Sequence, residues 1–186
     1  MKKILLLVLC LCMAMGSVLL TGCSDGGGSE TKDPGVISYD VNLYYVNQEY
    51  VDTGDKDLPQ LIEKVVTIHV PEGENPVIFL MKALSVIPDE SLGTVVTDEI
   101  IINDIYLSEE DNETIVVDLG SEGLSGGSMS EGLFISQVVE TLLANTELFE
   151  IEAGVLSKVQ FLVDGEIVES LMGHIDATEP FGSQLN

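Results

Sequence analysis

Beyond an apolar opening, Ile4–Leu20, broken only by Gly16 and Ser17, the chain alternates between strand-like and helix-like apolar patterns. Val41, Leu43 and Tyr45 fall on one side of an alternating run and Tyr44 and Val46 on the other, predicting a strand over Tyr39–Val46. Val65–Val70 is rich in β-branched residues and predicts a second strand, starting near Leu61 and ended by Pro71-Glu72-Gly73-Glu74. Asn75-Pro76 is a helix start, with Asn as N-cap and Pro in the first turn. Val77, Leu80, Met81, Leu84 and Ile87 follow, and Pro88 stops the helix. Ile100–Leu107 and Thr114–Leu119 predict a hairpin around the acidic loop 108–113. The Gly-rich stretch Gly120–Gly127 leads into a second helix. There Ser128 and Glu131 fit a capping box, and Phe134, Ile135, Val138, Val139, Leu142 and Leu143 form a broad apolar face. Asn145 is a terminator, and strands at Lys158–Val163 and Glu166–Glu169 flank the Asp164-Gly165 turn. The order β-β-α-β-β-α-β-β predicts an α+β fold, a mixed or antiparallel sheet with two helices packed on one face.

The opening run follows Lys2 and Lys3 and ends at Leu20-Thr21-Gly22-Cys23. A basic start, a short apolar region and a small residue at the cut are read as a secretory signal over residues 1–22. The four closing residues resemble the lipobox of bacterial lipoproteins, which implies that Cys23 is lipidated and becomes the first residue of the mature chain. Two or more acyl chains hold a protein stably on a bilayer. An ordinary signal peptide with an incidental Cys is the alternative. Ser24–Val36 is Gly, Ser and acid without apolar periodicity, a flexible tether reaching roughly 20 Å. The expected organisation is a lipid-anchored linker over 23–37, a folded domain over 38–176 and a C-terminal tail over 177–186.

Charge narrows the partners. The chain has no Arg, and removing residues 1–22 leaves five Lys against 32 acids, a formal charge of −27. Phosphate contacts need Lys and Arg, so nucleic acid is not an expected partner. The acid is read first as solubility on an outer face; attraction to cations or a basic partner is the sharper reading. Cys10 and Cys12 lie in the signal, so the exported part has no disulfide and depends on a hydrophobic core.

Few residues suggest chemistry. His69 and His174 lack companions at metal-ligand spacing and are read as hydrogen-bonded or exposed. Asp52, Asp55 and Asp57 lie close together, but Pro59 breaks the register of a calcium loop. No metal or cofactor is expected. Gly120, Gly123, Gly126 and Gly127 precede a helix start without a Lys, and are read as a mobile loop and the candidate contact surface. Cys is absent from the folded domain and no nucleophile–base constellation is read from the sequence, and an acid/base pair of carboxylates is the catalytic alternative. Asp118 is either a strand-end cap or a partner contact.

Four ordered segments resemble the GerMN domain of bacterial sporulation and spore-germination lipoproteins. They are Val41-Asn-Leu-Tyr-Tyr-Val46, Asn75-Pro-Val-Ile-Phe-Leu-Met-Lys-Ala-Leu84, Thr114-Ile-Val-Val-Asp-Leu119, and Val138–Ala144 followed by Val159-Gln-Phe-Leu-Val-Asp-Gly165. Gly120 stands where the family usually has Ser, and Ser85–Pro88 replaces a Gly-Pro. The resemblance implies a non-catalytic extracytoplasmic module, similar to ring-building domains of secretion-type assemblies, that contacts other envelope proteins. It brings no catalytic residues with it. The expected function is a cell-surface lipoprotein, on the outer face of the membrane through the lipid on Cys23, acting in a sporulation or germination envelope complex. The alternative is a binding protein for a small ligand or cell-wall fragment, with the Gly120–Gly127 loop closing over a pocket.

Overall fold

The computed structural model describes residues 35–149 and 155–185. The signal, Cys23 and the linker up to residue 34 lie outside the described residues. In chain order the elements are β1 (Val36–Asn47), α1 (Gln48–Thr53), β2 (Leu61–Pro71), α2 (Pro76–Leu84), β3 (Leu92–Gly93), β4 (Ile102–Leu107), β5 (Thr114–Leu119), α3 (Ser128–Leu143), a 3-10 turn (Thr146–Phe149), β6 (Lys158–Val163) and β7 (Phe181–Gly182). The fold is α+β. Among the described residues, no helix is long and apolar enough to cross a membrane.

The strands form two sheets, one ordered β2-β1-β3 and the other β4-β5-β6-β7. In the first, β1 and β2 pair antiparallel from Val36↔Pro71 to Val46↔Leu61. The alternation read from sequence holds: Val41, Leu43 and Tyr45 are buried, as are Ile68 and Val70 on β2. The strand also starts earlier than expected, at Val36 instead of Tyr39. Helix α2 covers this face with Val77, Leu80, Met81 and Leu84. Its start is the predicted one, with Asn75 Oδ1 accepting the Val77 N–H at 3.0 Å. At its end the Tyr45 hydroxyl donates to the Ala83 and Val86 carbonyls, at 3.2 and 3.0 Å. Burial pushes the Tyr45 phenol above its ordinary pKa.

In the second sheet β4 and β5 form the expected hairpin, while β5 and β6 run parallel. Parallel neighbours need a crossover, and α3 supplies it. The Asp164-Gly165 turn is present: both residues have positive φ, 52° and 81°, the backbone of a tight two-residue hairpin. Val163 and Glu166 exchange both backbone hydrogen bonds, and there the ladder stops. The strand expected at Glu166–Glu169 does not form.

The reason lies on α3. Ser128 and Glu131 do not make a capping box: the N-cap is Gly127, and no side chain caps the helix. The Glu131 side chain is fully buried, and its carboxylate accepts the N–H groups of Leu171, Met172, His174 and Ile175 at 2.8–3.1 Å. Four backbone donors drawn to one carboxylate pull residues 171–175 off the β6 edge. That edge is partnered at its other end by β7, through Val159↔Phe181 and Lys158↔Gly182. The expected tail is likewise fastened. Ala177 is fully buried, and Glu140 accepts from the Ser183 hydroxyl and from the backbone of Gln184 and Leu185.

A second polar row on α3 explains why there are two sheets. Gln137, Thr141 and Asn145 recur every four residues along one side of α3 and its end, and none is exposed. Thr141 Oγ1 accepts the Tyr44 N–H at 3.2 Å. Asn145 accepts the Asn42 N–H at 2.9 Å and donates to the Asn42 carbonyl at 2.8 Å. Gln137 Oε1 accepts the Val95 N–H at 3.0 Å. Side chains thus complete the β1 edge where a neighbouring strand would otherwise lie. The apolar residues of α3 join the common core with Ile115, Val117, Leu119, Val159 and Phe161 of the second sheet. The Phe134 and Phe161 rings meet with centroids 6.0 Å apart.

Three stability measurements check this reading. Glu131→Gln keeps the size but removes the charge and one acceptor, and is expected to lower the urea unfolding free energy by about 3 kcal/mol. Asn145→Ala leaves both Asn42 groups without their partner and is expected to cost about 2 kcal/mol. Asn145→Asp, nearly isosteric, is expected to unfold at lower urea than the Ala variant at neutral pH, because its carboxylate faces the Asn42 and Thr141 carbonyls where Asn145 donates.

Candidate functional site: an open sheet face

The Gly120–Gly127 loop joins β5 to α3 and is exposed over most of its length. Gly123 has φ +84°, and a Cβ there would lie 2.1 Å from the Glu99 carbonyl oxygen, so the position admits only Gly. A Cβ at Gly126 would lie 2.8 Å from Ser130 Cβ and 3.2 Å from Met172 Sδ. Gly120 is buried beside Ile101, and Gly127 faces open space. The four glycines are close in sequence, but two of them seat the loop on Glu99 and Met172.

The remaining sequence candidates take local roles. His69 hydrogen-bonds Ser38 Oγ at 2.9 Å, and His174 Nε2 lies 3.3 Å from the Gly126 carbonyl. Asp52 accepts from Gln48, and Asp55 accepts the Asp57 N–H at 2.9 Å in a local turn. Asp118 accepts the Gly165 N–H at 2.8 Å and so ties β5 to the hairpin turn. Among the described residues, no group of three His, Cys, Asp or Glu is placed to hold a metal ion.

A large concave surface lies where sequence reasoning did not look. Ile115, Val117, Leu119, Val159 and Phe161 pack into the core on the α3 side. Strand side chains alternate, so Val116, Gln160 and Leu162 stand on the opposite face. Tyr106 of β4 lies directly across from Val116, and Val116 across from Gln160, making one row over three strands. With Ile167 they floor a groove of about 720 Å³. Ile167 is 60% exposed and Tyr106 41%. Gln160 Nε2 donates to the Ala177 carbonyl at 3.1 Å, which places the following residues Thr178–Pro180 along one wall.

Acids rim this floor. Glu109, Glu110 and Asp111 come from the β4–β5 turn and Glu179 from the C-terminal segment; no Lys or His lines the groove. The Glu113 N–H, then the Thr114 hydroxyl and amide and Lys158, hold the Asp111 carboxyl below its ordinary pKa, so it is ionised at neutral pH. Lys158 is itself 3.4 Å from Glu113, beside the groove's end. A continuous apolar run such as Thr114–Leu119 does not say which face of a strand is covered, so pattern alone offered no signal for this site.

Comparison with known proteins gives the chain a family. A family model described as "Germane: Sporulation and spore germination" matches residues 42–169. No curated protein matches the chain. Among solved structures, a protein of Clostridium perfringens described as a candidate lipoprotein shares 20% identity, covering 80% of this chain and 88% of its own, with a TM-score of 0.46. The first GerMN domain of the sporulation protein GerM from Bacillus subtilis shares 13% identity over 78% of this chain and 98% of its own, with a TM-score of 0.47. The tandem GerMN domains of that protein share 14% identity over 86% of this chain and 49% of theirs, with a TM-score of 0.49. Since the family model spans more than half of the chain, this protein belongs to the Germane family of sporulation and spore germination.

Proposed function

We propose that this chain is a lipoprotein held on the outer face of the cell membrane by acyl chains on Cys23, whose folded body works without catalysis by binding other envelope proteins in a sporulation or germination complex. The observation that carries this is the open face of the second sheet. An apolar floor that includes the exposed Tyr106 and Ile167, walled by two segments and rimmed with acids, has the make-up of a contact surface. Family membership supports the sporulation or germination setting. The lipobox-like Leu20–Cys23 and the tether after it support the anchor. Catalysis by paired carboxylates is less well supported, since a general acid needs a raised pKa and Asp111 has a lowered one. The close seating of Gly123 and Gly126 favours a protein contact at the sheet over a loop that closes on a small ligand.

Two experiments in the native host check this. With a photo-crosslinking amino acid at Tyr106, irradiation of intact cells is expected to yield an adduct with a second protein, while the same amino acid at Glu72, in the turn before α2, yields none. Only monomer at both positions, in growth and in sporulation, would refute the interaction reading. Mass spectrometry of the membrane fraction is expected to find an acylated Cys23 as the first residue, and Cys23→Ser is expected to move the protein to the soluble fraction.

A further inference from the structure

We infer that the occupant of this groove is a cationic segment of a partner protein, with apolar side chains for the sheet floor and Lys or Arg for the rim. The inference rests on the interaction reading above and adds the chemistry of the partner. Charge complementarity carries it. Glu109 and Glu110 on one segment and Glu179 on another are exposed, and no cation among the lining residues neutralises them. Their negative fields add over a low-dielectric floor made by Tyr106, Val116, Leu162 and Ile167. A neutral apolar segment would bury the floor while leaving these carboxylates partly desolvated and unpaired, at a cost that Lys or Arg removes. A second copy of this strongly acidic chain would bring like charge to the rim. An anionic lipid surface or nucleic acid is disfavoured for the same reason.

The occupant lies across the face instead of extending the sheet at β4. That edge is interrupted by a register shift between Ile102 and Asp104 and carries the exposed Asn103 and Asp104, devices that discourage strand addition. On the face itself Tyr106 and Ile167 are exposed, while Val116 and Gln160 lie buried at the bottom of the groove. Its row Tyr106–Val116–Gln160 runs across three strands and leads from β4 toward the wall that carries Glu179.

The test uses the full chain isolated from its host in a neutral detergent, with empty micelles as the blank. The probe is a short synthetic peptide alternating Lys with Leu; its controls replace Lys by Glu or Leu by Ser. Saturable binding of the Lys-Leu peptide, weaker as salt rises, is expected, and neither control should match it. Joint reversal at Glu109→Lys, Glu110→Lys and Glu179→Lys is expected to weaken binding roughly tenfold or more. The exposed turn pair Glu72→Lys and Glu74→Lys, outside the groove, should change it little. Tyr106→Ser with Ile167→Ser should weaken it at every salt concentration, while circular dichroism shows each variant folded. Equal loss from the Glu72 and Glu74 pair would mean attraction to net charge alone and would overturn the inference. So would equal binding of the Glu-Leu peptide. Either result alongside a Tyr106 adduct in cells would remove the cationic partner while leaving the interaction reading in place; absence of the adduct would remove both.

Discussion

Between Asn42 and Tyr44 the β1 backbone has a strand on one side only, and its other edge faces α3. Buried N–H and C=O groups without partners are costly, about 1–3 kcal/mol each, so something must meet them. Helix α3 and its end meet them with side chains: Thr141 takes the Tyr44 N–H, and Asn145 takes both groups of Asn42. Gln137 does the same for Val95 in the segment after β3. A helix face that would ordinarily be apolar carries amides and a hydroxyl at a spacing of four, all fully buried. Among the described residues, no buried side-chain polar atom is left without a partner.

This arrangement settles the architecture. With α3 on the β1 edge, the first sheet cannot extend into the second. The apolar side of α3 packs on β5 and β6, so one face of that sheet is core and the other is left open. The same helix also shapes the groove. Glu131 gathers residues 171–175, Glu140 holds 183–185, and Gln160 fixes Ala177 between them. The stretch between those anchors, Thr178–Pro180, becomes the groove's wall. A carboxylate in the core thus positions a surface, and the distance between the two is bridged by ordinary hydrogen bonds.

Acidic residues serve two physically different purposes here. Glu131 and Glu140 are buried, and their carboxylates accept hydrogen bonds from oriented backbone N–H groups. Glu109, Glu110 and Glu179 are exposed and keep their charge facing solvent. The formal charge treats them alike, whereas only the second group is available to a partner.

Local pattern was enough for much of this protein. The alternation of β1, the Asn75-Pro76 start of α2, the β4–β5 hairpin and the Asp164-Gly165 turn all follow from interactions within a few residues, and the ordered segments were sufficient to identify the family. What failed were the readings that set a local partner against a distant one. Glu131 has Ser128 within reach in sequence, yet its carboxylate serves N–H groups some forty residues away. Residues 166–169 have a hairpin turn before them, yet the chain leaves β6 after the Val163–Glu166 bridge, and the N–H groups that follow are held by Glu131. Splitting into two sheets, and hence the open acid-rimmed face, depends on which backbone edge Gln137, Thr141 and Asn145 complete. A polar side chain does not carry the address of its partner, so only the folded chain decides it.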